Sequence, residues 1–281
     1  MKVPTGSTRV AAVIGSPVRH SLSPTLMNAA FSSSDLDWIY VALEVEASRL
    51  PDALVGIRAL GIDGLSVTMP HKESAAACAD VLTDDAELLG AVNCIVNTGG
   101  ILTGHNTDGE GFVRSLRNGF DLAPNGRRCV VLGAGGAARS IVLALARHGA
   151  EEIIVINRSL ARAERAAALA GERGRVVALD GAHTDLRDAD LIVNATPVGM
   201  GDPGPDDVPF DTSLLHGGQF VVDIVYRPLD TPLLVAARER GAATANGVAM
   251  LAHQAAIQFE LWTGVEAPID SMMSAVADQL G

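Results

Sequence analysis

The sequence predicts an α/β protein made of two successive series of strands and helices. Two observations carry this. Short β-rich runs alternate with helical patterns from end to end, the signature of βαβ units around a mostly parallel sheet. A second such series opens near Arg128, after the turn-forming segment Leu122-Ala-Pro-Asn-Gly126.

In the first series Val10–Ile14, Ile39–Leu43 and Gly64–Val67 read as strands, with helices over Ser23–Phe31 and Ser48–Leu60. Ser23-Pro24 reads as an N-cap followed by Pro at the first helical position. Cys94–Asn97 and Ile101–Thr103 flank Thr98-Gly99-Gly100, a tight hairpin signal. A helix is expected over Gly109–Leu116. In the second series Cys129–Leu132 is a strand, Ala137–Arg147 a helix, Ile153–Ile156 a strand and Leu160–Ala170 a helix. Val176–Ala178, Leu191–Val193 and Phe220–Val222 continue the strands. Met250–Trp262 and Ser271–Gln279 are the last helical stretches, and Gly201–Pro209 is a Pro/Gly/Asp loop.

Length and composition bound the function. The 281 residues suit two domains, and 48% apolar with 19% charged residues is globular composition. The net charge of −12 repels nucleic-acid backbone and anionic membrane surface, so neither is an expected partner. No apolar run approaches the roughly 18–20 residues that cross a bilayer, and no signal peptide is evident. Cys78, Cys94 and Cys129 form no zinc or redox pattern, and all three read as small core residues of a reduced, cytoplasmic protein. The histidines form no metal-binding spacing, so no metal is expected.

Val130-Val-Leu-Gly133-Ala-Gly135-Gly136-Ala-Ala138 runs from strand through a Gly-rich turn into a helix and fits G-x-G-x-x-A. Gly133 permits the tight turn, Gly135 the approach of a pyrophosphate, and Ala138 close packing of helix on strand. The helix N-terminus then offers unpaired N–H groups to phosphates. The second strand ends at Asn157-Arg158-Ser159, where NAD sites carry an Asp or Glu for the ribose 2′-OH. No acid stands there. Arg158 follows, with Arg162 one helical turn on, and guanidinium groups pair with a 2′-phosphate. The expected cofactor is NADP.

Polar residues of the first series gather where turns follow strands. Ser21 and Ser23 are two apart, so in an extended segment their hydroxyls point the same way. Thr68 leads through Pro70 to Lys72, a cation in a first helical turn, where the helix dipole disfavours it. Asn106-Thr107-Asp108 reads either as a cap for the following helix or as the source of a carboxylate, Asp108, facing Lys72 for proton transfer.

The chain resembles the shikimate dehydrogenase family over nearly its whole length. The motifs run in the family's order: His20-Ser-Leu-Ser-Pro24, Val67-Thr-Met-Pro-His-Lys72, Gly90-Ala-Val-Asn93, Asn106-Thr-Asp-Gly109, Gly133-Ala-Gly-Gly-Ala137, Asn157-Arg158, Asn194-Ala-Thr-Pro-Val-Gly-Met200, Asp223-Ile-Val-Tyr226, and Asn246-Gly247 leading to Met250-Leu-Ala-His-Gln254. The resemblance implies an N-terminal α/β substrate domain, 1–108, and a C-terminal Rossmann NADP-binding domain, 109–249, with a cleft between them. The C-terminal helices, about 250–281, are read as able to pack back on the first domain. It also implies that Ser21 and Ser23 hold a substrate carboxylate. Thr68, Lys72, Asn93, Asp108 and Gln254 would hold the ring hydroxyls, with Tyr226 at the cleft edge. Cofactor contacts would come from Gly133, Ala134, Gly135, Gly136, Ala137, Asn157, Arg158, Arg162, Ile224, Gly247 and Asp84.

The implied reaction is NADPH-dependent reduction of 3-dehydroshikimate to shikimate in the route to chorismate and aromatic amino acids, with Lys72 and Asp108 as the catalytic pair. A small-molecule substrate and a monomer or homodimer are expected. Ser66 stands where many members have Asn and Met27 where many have His. Ser66 is expected to alter a substrate contact, which leaves a quinate or aminoshikimate dehydrogenase open as an alternative. A non-catalytic NADP-sensing module is the remote one.

Overall fold

The structure is a computed structural model and describes residues 3–280. The chain divides into two compact units. The first runs up to Thr107 and takes in the residues from Ala252 onward; the second is Asp108–Leu251.

The first unit opens with β1 (Arg9–Gly15), α1 (Ser23–Ser33), β2 (Trp38–Glu44), α2 (Leu50–Leu60), β3 (Gly64–Val67) and α3 (Lys72–Cys78). It continues with β4 (Val81–Leu82), α4 (Asp84–Leu89), β5 (Cys94–Thr98) and β6 (Ile101–His105). The sheet order is β2-β1-β3-β5-β6-β4. β1 pairs in parallel with β2 and β3, while β5 pairs antiparallel with β3 and β6. The β5–β6 hairpin closes through Gly99 and Gly100, both at positive φ, as the sequence indicates.

Leu65 and Val67 of β3 face a core with Leu50, Leu54, Ile57, Ala75 and Ala86 from the helices on one side. Alternation turns Ser66 to the other face.

The second unit begins with α5 (Asp108–Phe120), β7 (Arg128–Leu132), α6 (Gly136–Arg147), β8 (Glu152–Ile156), α7 (Leu160–Ala168) and β9 (Gly174–Val177). Then come α8 (His183–Asp188), β10 (Leu191–Asn194), β11 (Phe220–Asp223), α9 (Pro232–Glu239) and β12 (Ala243–Ala245). Its six strands are all parallel, in the order β12-β11-β10-β7-β8-β9. This is the doubly wound Rossmann order, with the direction of winding reversing between β7 and β10. Cys129 and Val131 face one core with α5 and α6, and Val130 and Leu132 face another with α8 and α9. Burial on both faces explains why β7 reads as a continuous apolar run.

The chain returns to the first unit within α10 (Val248–Thr263) and ends in α11 (Ile269–Leu280). Trp262 of α10 donates its indole N–H to the Ile95 carbonyl at 3.0 Å, and Phe259 packs on Phe31. Ser271 of α11 bonds Ser33 of α1 at 3.0 Å.

Several expectations are corrected. Ser23 is the first residue of α1 and not its cap; Leu22 precedes it in helical conformation with no side-chain cap. Residues Ala47–Arg49 form a separate 3₁₀ turn, and the α-helix starts beside Pro51. The helix expected over Gly109–Leu116 runs from Asp108 to Phe120, so Asp108 is its first residue and not a cap. Helix α7 stops at Ala168, before a 3₁₀ turn over Gly171–Arg173. Cys78 is half-buried, because it lies near the end of a short helix, whereas Cys94 and Cys129 are core residues. The two- and three-residue strands β4 and β12 carry too little pattern to be read in advance.

Candidate functional sites in the two units

In the first unit the winding direction reverses between β1 and β3, where α/β sheets leave a crevice beyond the strand ends. The loop after β1 and the loop after β3 are tied together there. Ser16 N–H donates to the Met69 carbonyl and Thr68 N–H to the Ile14 carbonyl, each at 3.0 Å. The Ser21 segment is a turn and not extended chain: Ser21 N–H bonds the Val18 carbonyl. The Ser21 hydroxyl accepts from Ser23 N–H at 3.2 Å, so it stiffens the entry to α1.

Lys72 is half-buried at the start of α3, next to Glu73, which offsets the misplaced positive charge. Its carbonyl receives Val92 N–H at 2.9 Å, fixing the chain just before Asn93. Asn93 is buried and held from both ends of its amide. Oδ1 accepts Thr107 N–H at 2.7 Å, and Nδ2 donates to Thr107 Oγ1 at 3.0 Å and to Gln254 Oε1 at 3.4 Å. Thr107 in turn donates to the Gln254 carbonyl at 3.1 Å. The fold thus joins Asn93 and Gln254, two of the expected substrate residues.

Three further residues belong to this network: Ser66, expected from the sequence to alter a substrate contact, and Tyr40 and Gln258, which no sequence motif marks. Tyr40 donates to Ser66 Oγ at 2.6 Å, Ser66 donates to Gln258 Oε1, and Gln258 Nε2 donates to Gln254 Oε1 at 2.8 Å. Burial holds the Tyr40 phenol well above its usual pKa, with Ser23 as a second hydrogen-bond neighbour. Gln258 lies one turn beyond Gln254 on α10, the only advance signal of its place. Met27 is a core residue with no exposure. Asp84 is exposed at the start of α4, beside Asp85 and Glu87, where acids suit a helix N-terminus. It belongs to this unit and is not among the residues that the second unit assembles.

The second unit's site forms at its own reversal point. Gly133 follows the end of β7; its φ of +109° suits glycine, and a Cβ there would lie 2.9 Å from the Ala195 carbonyl. Gly135 precedes α6 with open space around its Cα and no side-chain cap. The first-turn amides of Gly136, Ala137 and Ala138 have no partner within the helix, the arrangement that suits a pyrophosphate. Ala138 is wholly buried, which allows α6 to pack closely.

Arg158 and Arg162 are exposed at the end of β8 and on the first turn of α7, and neither makes an ion pair among the described residues. Asn157 holds the turn through Nδ2 to the Ser159 carbonyl at 3.0 Å. Gly247 packs against the chain after β11: its N–H bonds the Val225 carbonyl at 3.0 Å, and a Cβ would collide with the Ile224 carbonyl. Burial raises the pKa of the half-buried Tyr226 phenol.

A buried carboxylate, Asp223, organises this edge. It accepts from Thr231 Oγ1 at 2.7 Å, from Asn194 Nδ2 at 3.1 Å and from Val225 N–H at 3.1 Å. Asn194 Oδ1 then receives Thr196. Asp108 is buried at the start of α5 in this unit, while Lys72 is in the other. Among the described residues no cluster of His, Cys, Asp and Glu is placed to hold a metal ion, and no helix is long and apolar enough to cross a membrane.

Family models match along the chain: a shikimate dehydrogenase substrate binding domain over residues 13–95, a shikimate/quinate 5-dehydrogenase over 118–199, and a shikimate 5′-dehydrogenase C-terminal domain over 247–277. The shikimate dehydrogenase (NADP+) of Methanopyrus kandleri is 48% identical over 280 residues, covering 97% of this chain and 96% of its own. The chain belongs to the shikimate dehydrogenase family. The fold agrees with solved members of the family. A shikimate dehydrogenase in complex with NADP+ superposes with a TM-score of 0.91 at 38% identity, over 99% of this chain and 98% of its own. The Thermus thermophilus enzyme in complex with NADP(H) and shikimate gives 0.89 at 37% identity, over 96% and 99% of the two chains.

Proposed function

We propose that the protein catalyses the reversible NADPH-dependent reduction of 3-dehydroshikimate to shikimate. The observation that carries this reading is the pairing of a Gly133–Ala137 phosphate cradle with Arg158 and Arg162 in place of an acid, in a chain of this family. On this reading Asp108–Leu251 holds NADP and the other unit holds the substrate.

The residues present fit the cofactor. The α6 amides would hold the pyrophosphate, Asn157 and the two arginines would take the ribose and its 2′-phosphate, and Ile224 and Gly247 would lie at the nicotinamide end. The bound nicotinamide supplies the hydride for the C3 carbonyl carbon. Lys72 Nζ gives a proton to the C3 oxygen as negative charge develops there, and takes it back in the reverse direction. Asp108 bonds the neighbouring hydroxyl. Ser21 and Ser23 donate to the substrate carboxylate; Thr68, Asn93 and Gln254 orient the ring, with Tyr226 at its edge. The active form is a cytoplasmic monomer or homodimer.

Initial rates with shikimate and quinate, each with NADP and NAD, test the proposal. Shikimate with NADP is expected to give the highest kcat/KM. A higher value for quinate with NAD overturns it and favours the quinate branch of the family.

A further inference from the structure

The network below β3 has a direction. Tyr40, Ser66 and Gln258 are nearly inaccessible, with 2%, 7% and 1% of their surfaces exposed, so their polar atoms must be satisfied within the protein. A serine hydroxyl has one proton to give. Because Tyr40 donates to Ser66, the Ser66 proton goes onward to Gln258 Oε1. That contact fixes which end of the Gln258 amide is oxygen. Its Nε2 therefore points away and donates to Gln254 Oε1 at 2.8 Å, with Thr107 Oγ1 at 3.3 Å and the Asn93 carbonyl at 3.4 Å alongside.

A second, independent constraint gives the same answer. Thr107 N–H is a backbone donor and accepts nothing, so Asn93 must turn Oδ1 toward it. Asn93 Nδ2 is then left to donate, and it too reaches Gln254 Oε1. Two donors converge on one oxygen. The Gln254 carboxamide is thereby held with its oxygen inward, and its opposite end is the N–H end. A flipped Gln254 would set two N–H groups against two N–H groups.

We infer that Tyr40, Ser66 and Gln258 are positioning residues that hold Gln254 as a hydrogen-bond donor toward the substrate ring. This rests on the proposed placement of Gln254 in the substrate site. Ser66, expected from the sequence to alter a substrate contact, acts instead through Gln258 and Gln254. It is one link in a chain that starts at Tyr40 and ends at the residue meeting a ring oxygen.

The test is a cycle of variants read by substrate KM. Gln258→Met, Ser66→Ala and Tyr40→Phe are each made alone and with Gln254→Ala. Tyr40→Phe removes one hydrogen bond of the path, and Ser66→Ala and Gln258→Met each remove two; each variant should raise the shikimate KM about three- to tenfold. The KM for NADP should stay within twofold of wild type. In the Gln254→Ala background the same changes should add nothing, because the residue they act through is gone. Ser66→Ala and Tyr40→Phe remove only a hydroxyl, so they keep the test alive if Gln258→Met fails to fold. An unchanged shikimate KM in the single variants overturns the inference, as does an equal rise with and without Gln254. Wild type that turns over shikimate normally beside unresponsive variants sinks this inference alone. Wild type that does not oxidise shikimate with NADP sinks the functional reading, and the inference falls with it.

Discussion

Asn93 donates to Gln254 across 161 positions of sequence, and that contact ties the residue before β5 to helix α10. Asn93 and Gln254, two of the expected substrate residues, thus come from distant parts of the chain. Their hydrogen-bonded network is complete only once the chain has passed through the second unit and returned.

Lys72 sits in a first helical turn with Glu73 beside it and its carbonyl pinned by Val92. Lys72→Ala should lower kcat by roughly two to four orders of magnitude, the usual range for a lost acid–base group. The shikimate KM should change much less. Steady-state kinetics at saturating NADP check this, and retention of more than about half of kcat removes Lys72 from the proton-transfer role.

Arg158 makes no ion pair within the described protein, so its removal should leave the fold intact while changing cofactor choice. Losing one charge-assisted contact costs about 1.5–3 kcal/mol. Arg158→Ala should raise the KM for NADP about 10–150-fold and leave that for NAD nearly unchanged. Asn157→Asp added to it should go further, since the new carboxylate repels a 2′-phosphate. Titration with both cofactors decides. Equal use of NAD and NADP by wild type would falsify the assignment.

Gly247→Ala places a methyl group against the Ile224 carbonyl. Overpacking of this kind costs about 1–3 kcal/mol. The variant should melt at lower temperature and bind NADP more weakly, because Ile224 is displaced with it. Thermal melts with and without NADP measure both effects; an unchanged Tm and an unchanged NADP affinity would show that the backbone contact is unimportant.

Asp223 supplies a pH dependence with a definite sign. Burial raises its pKa above the ordinary carboxylate value, while Thr231, the Val225 amide and Asn194 pull it back. The folded protein therefore holds this proton more tightly than the unfolded chain. The stabilisation from Asp223 is complete below the unfolded pKa of about 3.9 and is lost as pH rises through the folded value. Asp223→Asn cannot titrate. The Tm of wild type minus that of Asp223→Asn should fall as pH is raised from about 4 toward neutrality. A difference that is constant or grows contradicts this sign.

The three cysteines should differ in reactivity. Burial and the nearby Asp190 push the Cys129 thiol up to about 12, and burial raises Cys94 as well. Neither forms the reactive thiolate near neutral pH. Cys78 is half-buried. An aromatic disulfide reagent should titrate one thiol quickly in the native protein and three after denaturation. Fast reaction of more than one native thiol counts against the buried placement of Cys94 and Cys129.

Features whose physics is local can be read from the order of residues alone. Alternating apolar runs and helical patterns marked both α/β series, because side-chain period follows backbone geometry. The Gly133 turn, the Gly99-Gly100 hairpin and the Asn157-Arg158 step were legible because each needs particular residues within a few positions. Contacts between residues far apart in the chain emerge only on folding. Nothing near Ser66 in sequence announces that its proton goes to Gln258, 192 positions on. Asp223 gains its meaning only when Asn194 and Thr231 close around it in a dry interior. The Ser21 segment is a turn and not the extended chain that residue spacing alone would allow, because Ser21 N–H bonds the Val18 carbonyl just before α1 begins. Short-range patterning fixes which elements form; burial of hydrogen-bonding groups decides which of their side chains must meet.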